Sequence, residues 1–179
     1  MKVNKSIKGK KILLRNIEQD DCDENYLSWL KNPKINQYLE TRWENQNLNK
    51  IKIFVKTIKE SKDSILFAIE EISSNKHIGN IKIGPINHNH KYADISYFIG
   101  DSGVWGKGYA SEAVSLATEY SVRVLKLETL VAGVYGGNVG SQKVLEKNGY
   151  SLAGRLKDQL LNVKGKKEDH LWYVASNEK

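Results

Sequence analysis

Glycines are concentrated in one turn of the sequence, which joins a predicted strand to the longest predicted helix. Residues 100–112 read Gly-Asp-Ser-Gly-Val-Trp-Gly-Lys-Gly-Tyr-Ala-Ser-Glu. The first turn of a helix leaves backbone N–H groups unpaired and carries a partial positive charge, so it attracts anions. Gly106 and Gly108 would let the backbone approach a phosphate and adopt left-handed angles. This segment is therefore either a phosphate-binding loop or a tight structural turn.

Two well-known phosphate loops do not fit this turn. A Walker loop requires lysine after its second glycine, whereas Tyr109 follows Gly108 here. A dinucleotide-binding fingerprint requires a third glycine at the position that Ser111 occupies. The preceding strand also belongs to a predicted antiparallel meander, whereas the dinucleotide fold uses a parallel unit. The pattern favours another ligand that carries phosphate.

Few other residues are placed for chemistry. Asp94 lies in a predicted central strand, where an acidic side chain is seldom present for packing alone. Cys22 is the only cysteine, which excludes a disulfide scaffold and a cysteine zinc site. His88 and His90 lie in a polar turn without a third ligand nearby in sequence, so no metal is expected.

Composition predicts one soluble domain over residues 1–179, since chains of this length seldom divide. The 28 Lys and Arg exceed the 21 Asp and Glu, and a net charge of +7 attracts phosphates of any kind unless it reflects only a lysine-rich composition. No apolar run approaches the ~20 residues of a membrane helix, and the start does not resemble a secretory signal. We therefore expect a cytoplasmic location and no membrane partner. Aromatic residues do not alternate with basic ones as in RNA-binding sheets, so nucleic acid is not favoured.

Hydrophobic periodicity predicts the elements that must position these residues. A strand over 11–17 precedes three helices, the first opening at Asp20, the second at Asn32-Pro33 and the third spanning Leu48 to Ile58. Three strands over 64–70, 77–83 and 92–99 then form an antiparallel meander. A helix over 108–125, a strand over 128–134, a helix over 138–148 and two strands near 150–155 and 168–175 follow. The order predicts an α/β fold around one sheet.

Two motifs in this order resemble the GNAT family of acetyl-CoA-dependent N-acetyltransferases. They are Trp105-Gly-Lys-Gly-Tyr-Ala-Ser-Glu-Ala113, and Asn138-Val-Gly-Ser141 followed by Glu146-Lys-Asn-Gly-Tyr150. The resemblance spans about residues 11–175 and is greatest to the ribosomal-protein N-terminal (RimJ/RimL-like) branch. It implies a mixed, mostly antiparallel central sheet, flanked by helices, whose two central strands splay apart.

The resemblance also implies how acetyl-CoA binds. The pyrophosphate would lie on the backbone amides of the glycine turn, the pantetheine arm would pair with the end of the strand before it, and the helix after the second motif would approach the thioester and adenine. By this resemblance the cofactor-binding residues are Phe98, Ile99, Trp105, Gly106, Lys107, Gly108, Tyr109, Ala110, Asn138, Ser141 and Lys147. Trp105 stands where the family usually has Arg or Gln, which a site built on backbone groups tolerates.

Acetyl transfer requires a neutral amine, a donor to the carbonyl oxygen and a proton for the leaving thiolate, and a backbone N–H can serve the oxygen. Many family members protonate the thiolate with a tyrosine on the helix after the asparagine, but residues 138–148 contain none. Ser141 is therefore the predicted proton donor, unless its hydroxyl only bonds the helix backbone. Asp94 matches an acidic position of the family. It would deprotonate the amine through water, bind a cationic substrate or pair with a lysine.

The family's acceptor pocket is walled by the helices after the first strand and by the last hairpin. The predicted substrate-binding residues are Tyr38, Glu40, Arg42, Trp43 and Asp169, with His170 also at the pocket mouth. Arg42 would face a phosphate or carboxylate and Glu40 an ammonium. Without an obvious strong base, a protein N-terminal α-amine or an amino-sugar amine is favoured over a lysine. Alternatives are an inactive CoA-binding sensor and a basic nucleic-acid-binding domain, and both monomer and homodimer remain open.

Overall fold

Eight strands form one sheet in the computed structural model, which describes residues 6–176. Across the sheet the order is β1-β2-β3-β4-β5-β6-β8-β7. The strands are β1 (Ile7–Lys8), β2 (Ile12–Asn16), β3 (Ile65–Glu71), β4 (Lys76–Asn87), β5 (Tyr92–Ile99), β6 (Thr129–Tyr135), β7 (Ser151–Leu161) and β8 (Lys167–Ser176). Neighbouring strands are antiparallel except for the parallel pair β5 and β6. The expected mixed, mostly antiparallel α/β sheet is confirmed.

Five α-helices connect these strands, and side-chain caps fix the starts of several. They are α1 (Glu24–Lys31), α2 (Pro33–Asn36), α3 (Leu48–Glu60), α4 (Tyr109–Arg123) and α5 (Val139–Lys147). The Asn32 side chain accepts a hydrogen bond from the Lys34 N–H at 3.0 Å, and proline follows it as the sequence predicts. Asn47 caps α3 in the same way, with 2.9 Å to the Lys50 N–H.

The largest differences from the prediction concern the start of α1, the short β1, the end of β7, and the end of β4, which runs to Asn87 instead of residue 83. Residues Gln19–Asp21 form a 3₁₀ turn instead of the start of a helix, because Asp21 bonds Arg15 at 2.7 Å; α1 begins only after the Asp23 cap. The short β1 was not predicted. β7 continues to Leu161, and its prediction ended early because most of its side chains are exposed and lack the alternation that marks a half-buried strand.

Helices cover both faces of the sheet. On one face α4 and α5 pack over the larger core, which includes Ala93 and Ile95 of β5. On the other face Tyr26 and Trp29 of α1 and Val55 of α3 pack over a second core. Because side chains alternate along a strand, Asp94 and Phe98 point to the α1 face.

The two central strands separate after a short paired segment. β5 and β6 pair from Tyr92 with Thr129 to Asp94 with Val131, and no further pair joins them in the described residues. β5 nevertheless continues to Ile99, while β6 continues to Tyr135 paired with β8 on its other side. The divergence leaves a cleft in the middle of the sheet, and it confirms the expected splay.

Candidate active site

The glycine turn lies where β5 ends and α4 begins. Gly106 has φ 77° and Gly108 has φ 88°, both in the left-handed region that glycine adopts without penalty. Gly108 occupies the N-cap position of α4 and offers no side chain to accept from the first-turn N–H groups. These amides are thus left for a ligand, which is the arrangement that binds phosphate.

Lysines surround this turn. The Lys11 ammonium donates to the Lys107 carbonyl at 2.8 Å. Lys10, Lys11 and Lys107 line, with Tyr109, an open cavity of about 540 Å³. Two of the predicted cofactor residues begin α4. The Tyr109 hydroxyl donates a hydrogen bond to Glu71, and Ala110 lies within the first turn of the helix. Three lysines thus lie at the turn, beside the carboxylates of Glu71 and Glu112, and lysine side chains suit a phosphorylated ligand.

The end of β5 carries the predicted pantetheine contacts. Phe98 packs on the α1 face against the rings of Tyr26 and Trp29, each with a centroid distance of 6.1 Å. Ile99 packs on the opposite face, and its carbonyl accepts from the Trp105 indole N–H at 3.0 Å. Trp105 thus joins the glycine turn to the last residue of β5.

The start of α5 faces the same cleft. The Asn138 side chain accepts from the Ser141 N–H at 3.1 Å, and the Ser141 Oγ lies 2.8 Å from the Tyr97 hydroxyl of β5. Burial raises the pKa of Tyr97 to about 12, so this hydroxyl stays protonated at neutral pH. Lys147 is exposed at the far end of α5. Tyr97 was not among the residues predicted from the sequence, although strand alternation with Ala93 and Ile95 places it on this face.

Asp94 lies at the closed end of the cleft, where β5 last pairs with β6. Burial raises the pKa of Asp94 above its ordinary value, and the positive charge of Lys82 opposes this shift. Among the residues that the structure describes, Asp94 forms no ion pair. Of the three roles expected for it, pairing with a lysine is therefore represented only by the electrostatic effect of Lys82.

A 3₁₀ turn over Glu40–Trp43 brings several predicted substrate residues to the open end of β6. The Tyr135 hydroxyl donates to Glu40, which also accepts from the Trp43 indole at 3.1 Å. Tyr38 donates to the Gly137 carbonyl at 2.9 Å and packs against Tyr135. These contacts bring Tyr38, Glu40 and Trp43 together beside the cleft.

Arg42 is held by protein groups. Its guanidinium donates to the Tyr135 hydroxyl at 2.8 Å and to the carbonyls of Gln37 and Leu161 at 2.8 and 2.6 Å. It also lies over the rings of Trp43 and Tyr135, 4.4 and 4.8 Å from their centroids. A bidentate contact with a phosphate or carboxylate would have to displace several of these bonds.

Asp169 faces the β7 hairpin. It pairs with Arg155 and accepts from the Asp158 N–H at 3.0 Å, and these contacts lower the pKa of Asp169. Its neighbour His170 lies against Gly133 of β6, beyond the last β5–β6 pair. From the sequence, His170 was predicted only at the pocket mouth, because the pairing of β8 with β6 is not visible in the sequence.

No group of metal-ligating side chains occurs among residues 6–176, and no helix in that range is long and apolar enough to cross a membrane. The described site therefore consists of a positive glycine turn, a cleft between β5 and β6, and polar side chains on both sides of that cleft.

Comparisons with known proteins agree with this geometry. A family model described as an acetyltransferase (GNAT) domain matches residues 11–151. The probable N-acetyltransferase YjcK of Bacillus subtilis is 28% identical over 174 residues, covering 92% of this chain and 93% of that protein. The spermidine N-acetyltransferase of Vibrio cholerae, solved with CoA and spermine, has a TM-score of 0.83 at 20% identity and covers 94% of this chain and 96% of its own. Mycobacterium smegmatis RimJ, solved with CoA-disulfide, has a TM-score of 0.79 at 20% identity, and the match covers 93% of this chain and 82% of the RimJ chain. The chain belongs to the GNAT family and is an acetyl-CoA-dependent acyltransferase.

Proposed function

We propose that this enzyme transfers the acetyl group of acetyl-CoA directly to a primary amine, either the N-terminal α-amine of a protein or the amine of an amino sugar. The observation that carries the proposal is the cleft between β5 and β6, which opens beside a glycine turn with two left-handed glycines and a free helix start. A donor with phosphates at one end and a thioester at the other matches both features.

On the cofactor side, the residues fit CoA as the family implies. Among the amides of residues 105–110, those of Trp105 and Lys107 donate to the carbonyls of Ser102 and Val104, so the others would hold the pyrophosphate. Lys107 would add charge, and Asn138 would approach the thioester. The pantetheine arm would extend along Phe98 and Ile99, on the edge of β5 that β6 leaves unpaired. Bound there, acetyl-CoA supplies the activated acyl group, while backbone N–H groups of β5 would stabilise the oxygen that gains charge.

Ser141 would supply the proton that the departing thiolate needs. Its hydroxyl is placed by the helix start and by the 2.8 Å contact with the Tyr97 hydroxyl. A thiol with an ordinary pKa of ~8.5 leaves fairly well without help, so the expected contribution lies below the ~10²–10⁴-fold that is usual for general acid catalysis.

We expect Ser141→Ala to lower kcat about tenfold and to leave the dissociation constant of acetyl-CoA unchanged, because the interaction forms mainly in the transition state. Tyr97→Phe should give a loss of the same size, and the double variant should lose little more, since the two hydroxyls act together. Steady-state kinetics with saturating substrates measures this, with Ser115→Ala on the exposed side of α4 as the control. A Ser141→Ala enzyme with wild-type kcat would leave Ser141 as a helix-start hydroxyl only.

On the acceptor side, the groups beside the cleft favour a cationic substrate. Asp94 and Glu40 contribute two carboxylates, and Tyr38 and Trp43 contribute rings. Arg42 and Asp169 would act by shaping this wall, since each is bonded to other protein groups. An ammonium group would be attracted to such a site.

Asp94→Asn is expected to raise the KM for a cationic acceptor about tenfold, because one negative charge is lost from a partly buried position. The affinity for acetyl-CoA should not change. Initial rates over a range of acceptor concentrations test this, and Asp20→Asn on the exposed 3₁₀ turn is the matched control. A tenfold fall in kcat with an unchanged KM would instead show that Asp94 takes part in proton transfer.

The proposed function itself is tested by following release of the CoA thiol from acetyl-CoA with a panel of acceptors. The panel contains N-terminal peptides, amino sugars, lysine-blocked and lysine-free peptides, and polyamines, the last because one structural neighbour is named a spermidine N-acetyltransferase. Acetylation of an α-amine or a sugar amine well above the rate of hydrolysis supports the proposal. Binding of acetyl-CoA without turnover of any amine would favour a sensor role.

A further inference from the structure

His170 lies on the wall of the cleft. It is paired with Tyr135 in the β6–β8 register, and its imidazole covers Gly133, so that a Cβ atom placed on Gly133 would come within 2.4 Å of the Nε2 atom. Gly133 belongs to the part of β6 that no longer pairs with β5. Leu130, Ala132 and Val134 point into the core under α4, so Gly133 and the imidazole lie on the opposite face, as Asp94 does.

The hydrogen bonds of His170 determine which nitrogen carries the proton. Nδ1 lies 2.7 Å from the Oε1 atom of Gln159 on β7. A carboxamide oxygen only accepts, so Nδ1 must donate its N–H, and in the neutral ring the lone pair is then on Nε2. The ring also stacks on Trp172 with a centroid distance of 4.5 Å. A basic nitrogen is thus held in a fixed orientation beside the cleft.

The surroundings of His170 keep it neutral near pH 7. Burial lowers the pKa of His170 below its ordinary value of 6.5, and the negative charge of Glu40 opposes the shift. The other charged groups nearby are engaged elsewhere: Arg42 bonds Tyr135 and backbone carbonyls, and Asp169 pairs with Arg155. The imidazole is therefore in the form that accepts a proton.

We infer that His170 accepts the proton from the acceptor amine, which deepens the proposed function and rests on it. The amine arrives as an ammonium and gives one proton to Nε2. Its freed lone pair then forms the N–C bond to the thioester carbonyl carbon, and the C–S bond breaks with its electron pair on sulfur. After the N–C bond has formed, the nitrogen loses a second proton, which equals the one that the thiolate gains. His170 releases the first proton to solvent.

His170 suits this role better than Asp94. A general base works best when its pKa lies near the operating pH, and the ordinary pKa of a histidine, 6.5, lies closer to it than the ordinary 3.8 of an aspartate, although burial lowers the pKa of His170 and raises that of Asp94. Asp94 also lies at the closed end of the cleft, whereas His170 borders the open part. Glu40, whose charge acts on His170, then attracts the ammonium, and His170 removes its proton, while Asp94 adds negative charge deeper in the cleft.

The first test is His170→Ala, with the best amine from the acceptor panel. We expect kcat/KM at pH 7 to fall at least a hundredfold, the low end for removal of a general base, with unchanged affinity for acetyl-CoA by calorimetry. Added imidazole should restore part of the rate. The loss should shrink with a weakly basic acceptor such as methoxyamine, which is already neutral at pH 7. His90→Ala, which removes a histidine from the exposed β4–β5 turn, is the control.

Two further variants keep the inference testable should His170→Ala fold poorly. Gln159→Glu retains an acceptor for Nδ1 but adds a negative charge, so the acid limb of the pH profile of kcat/KM should move to higher pH. Gly133→Ala places a methyl group against Nε2 and should lower kcat with the histidine still present.

Opposite results overturn the inference. A His170→Ala enzyme that keeps the acid limb and most of its rate would remove His170 from proton transfer, while amine acetylation by the wild type would leave the proposed function standing. A wild type that binds acetyl-CoA but acetylates no amine would overturn the proposed function and this assignment with it.

Discussion

Replacing Gly108 with valine is expected to weaken acetyl-CoA binding by ten- to a hundredfold. Gly108 has φ 88°, and a β-branched residue held in that region is strained by about 1–3 kcal/mol. Each tenfold loss of affinity corresponds to about 1.4 kcal/mol. If the turn moves to relieve this strain, the binding energy lost is therefore large enough for the expected decrease in affinity. The first-turn amides of α4 would leave the positions from which they bind phosphate.

Isothermal titration calorimetry with acetyl-CoA measures the effect. Gly165→Val is the matched control, because Gly165 has φ 69° and open space around it but lies in the β7–β8 turn, away from α4. Both variants should be destabilised to a similar degree, and only Gly108→Val should lose affinity. Wild-type affinity in Gly108→Val would remove the glycine turn from the cofactor site.

The fold was predictable from the sequence where periodicity is strong. The continuous apolar runs in β3 and β4 arise because helices cover both faces of the sheet. The alternation at the start of β5 and the spacing of Leu48, Ile51 and Val55 in α3 arise from deeper burial of one face, which also leaves a pattern in the chain. β7 leaves no such pattern because it is exposed, and its true length follows only from its pairing with β8. The start of α1 was shifted by a side-chain contact, because Arg15 of β2 donates to Asp21.

The candidate site was predictable to the extent that it is local in sequence. The glycine turn and the Asn138 cap each lie within one short segment, so their spacing indicates their role. His170 depends on three elements, because β8 carries it, β7 supplies Gln159 and β6 supplies the bare backbone of Gly133. Tyr97 likewise acquires its partner Ser141 only when α5 packs against β5. Such constellations do not exist until the sheet is assembled.

Arg42 is the residue whose predicted role changes most once its contacts are known. The sequence predicts that it faces an anionic group of the substrate, yet its guanidinium donates to Tyr135 and to the carbonyls of Gln37, Leu39 and Leu161. These bonds join the 3₁₀ turn to the ends of β6 and β7, and the Nε atom is buried without a hydrogen-bond partner among residues 6–176. Arg42 is therefore expected to stabilise the acceptor wall.

Arg42→Ala should lower the free energy of unfolding by about 2–4 kcal/mol, since it removes charge-assisted hydrogen bonds and leaves partly buried acceptors unpaired. For a chain of this size that corresponds to a fall in Tm of about 5–10 °C. Arg42→Lys should recover little of it, because one ammonium cannot reproduce the fork that reaches Tyr135 and Leu161 together. Arg123→Ala, which removes an exposed arginine of α4 paired only with Glu119, should change Tm by less than a degree or two. Thermal unfolding combined with acceptor kinetics separates the two roles. A higher KM with an unchanged Tm would show that Arg42 binds the substrate. A lower Tm, with a KM that is restored at low temperature, would show that Arg42 stabilises the acceptor wall.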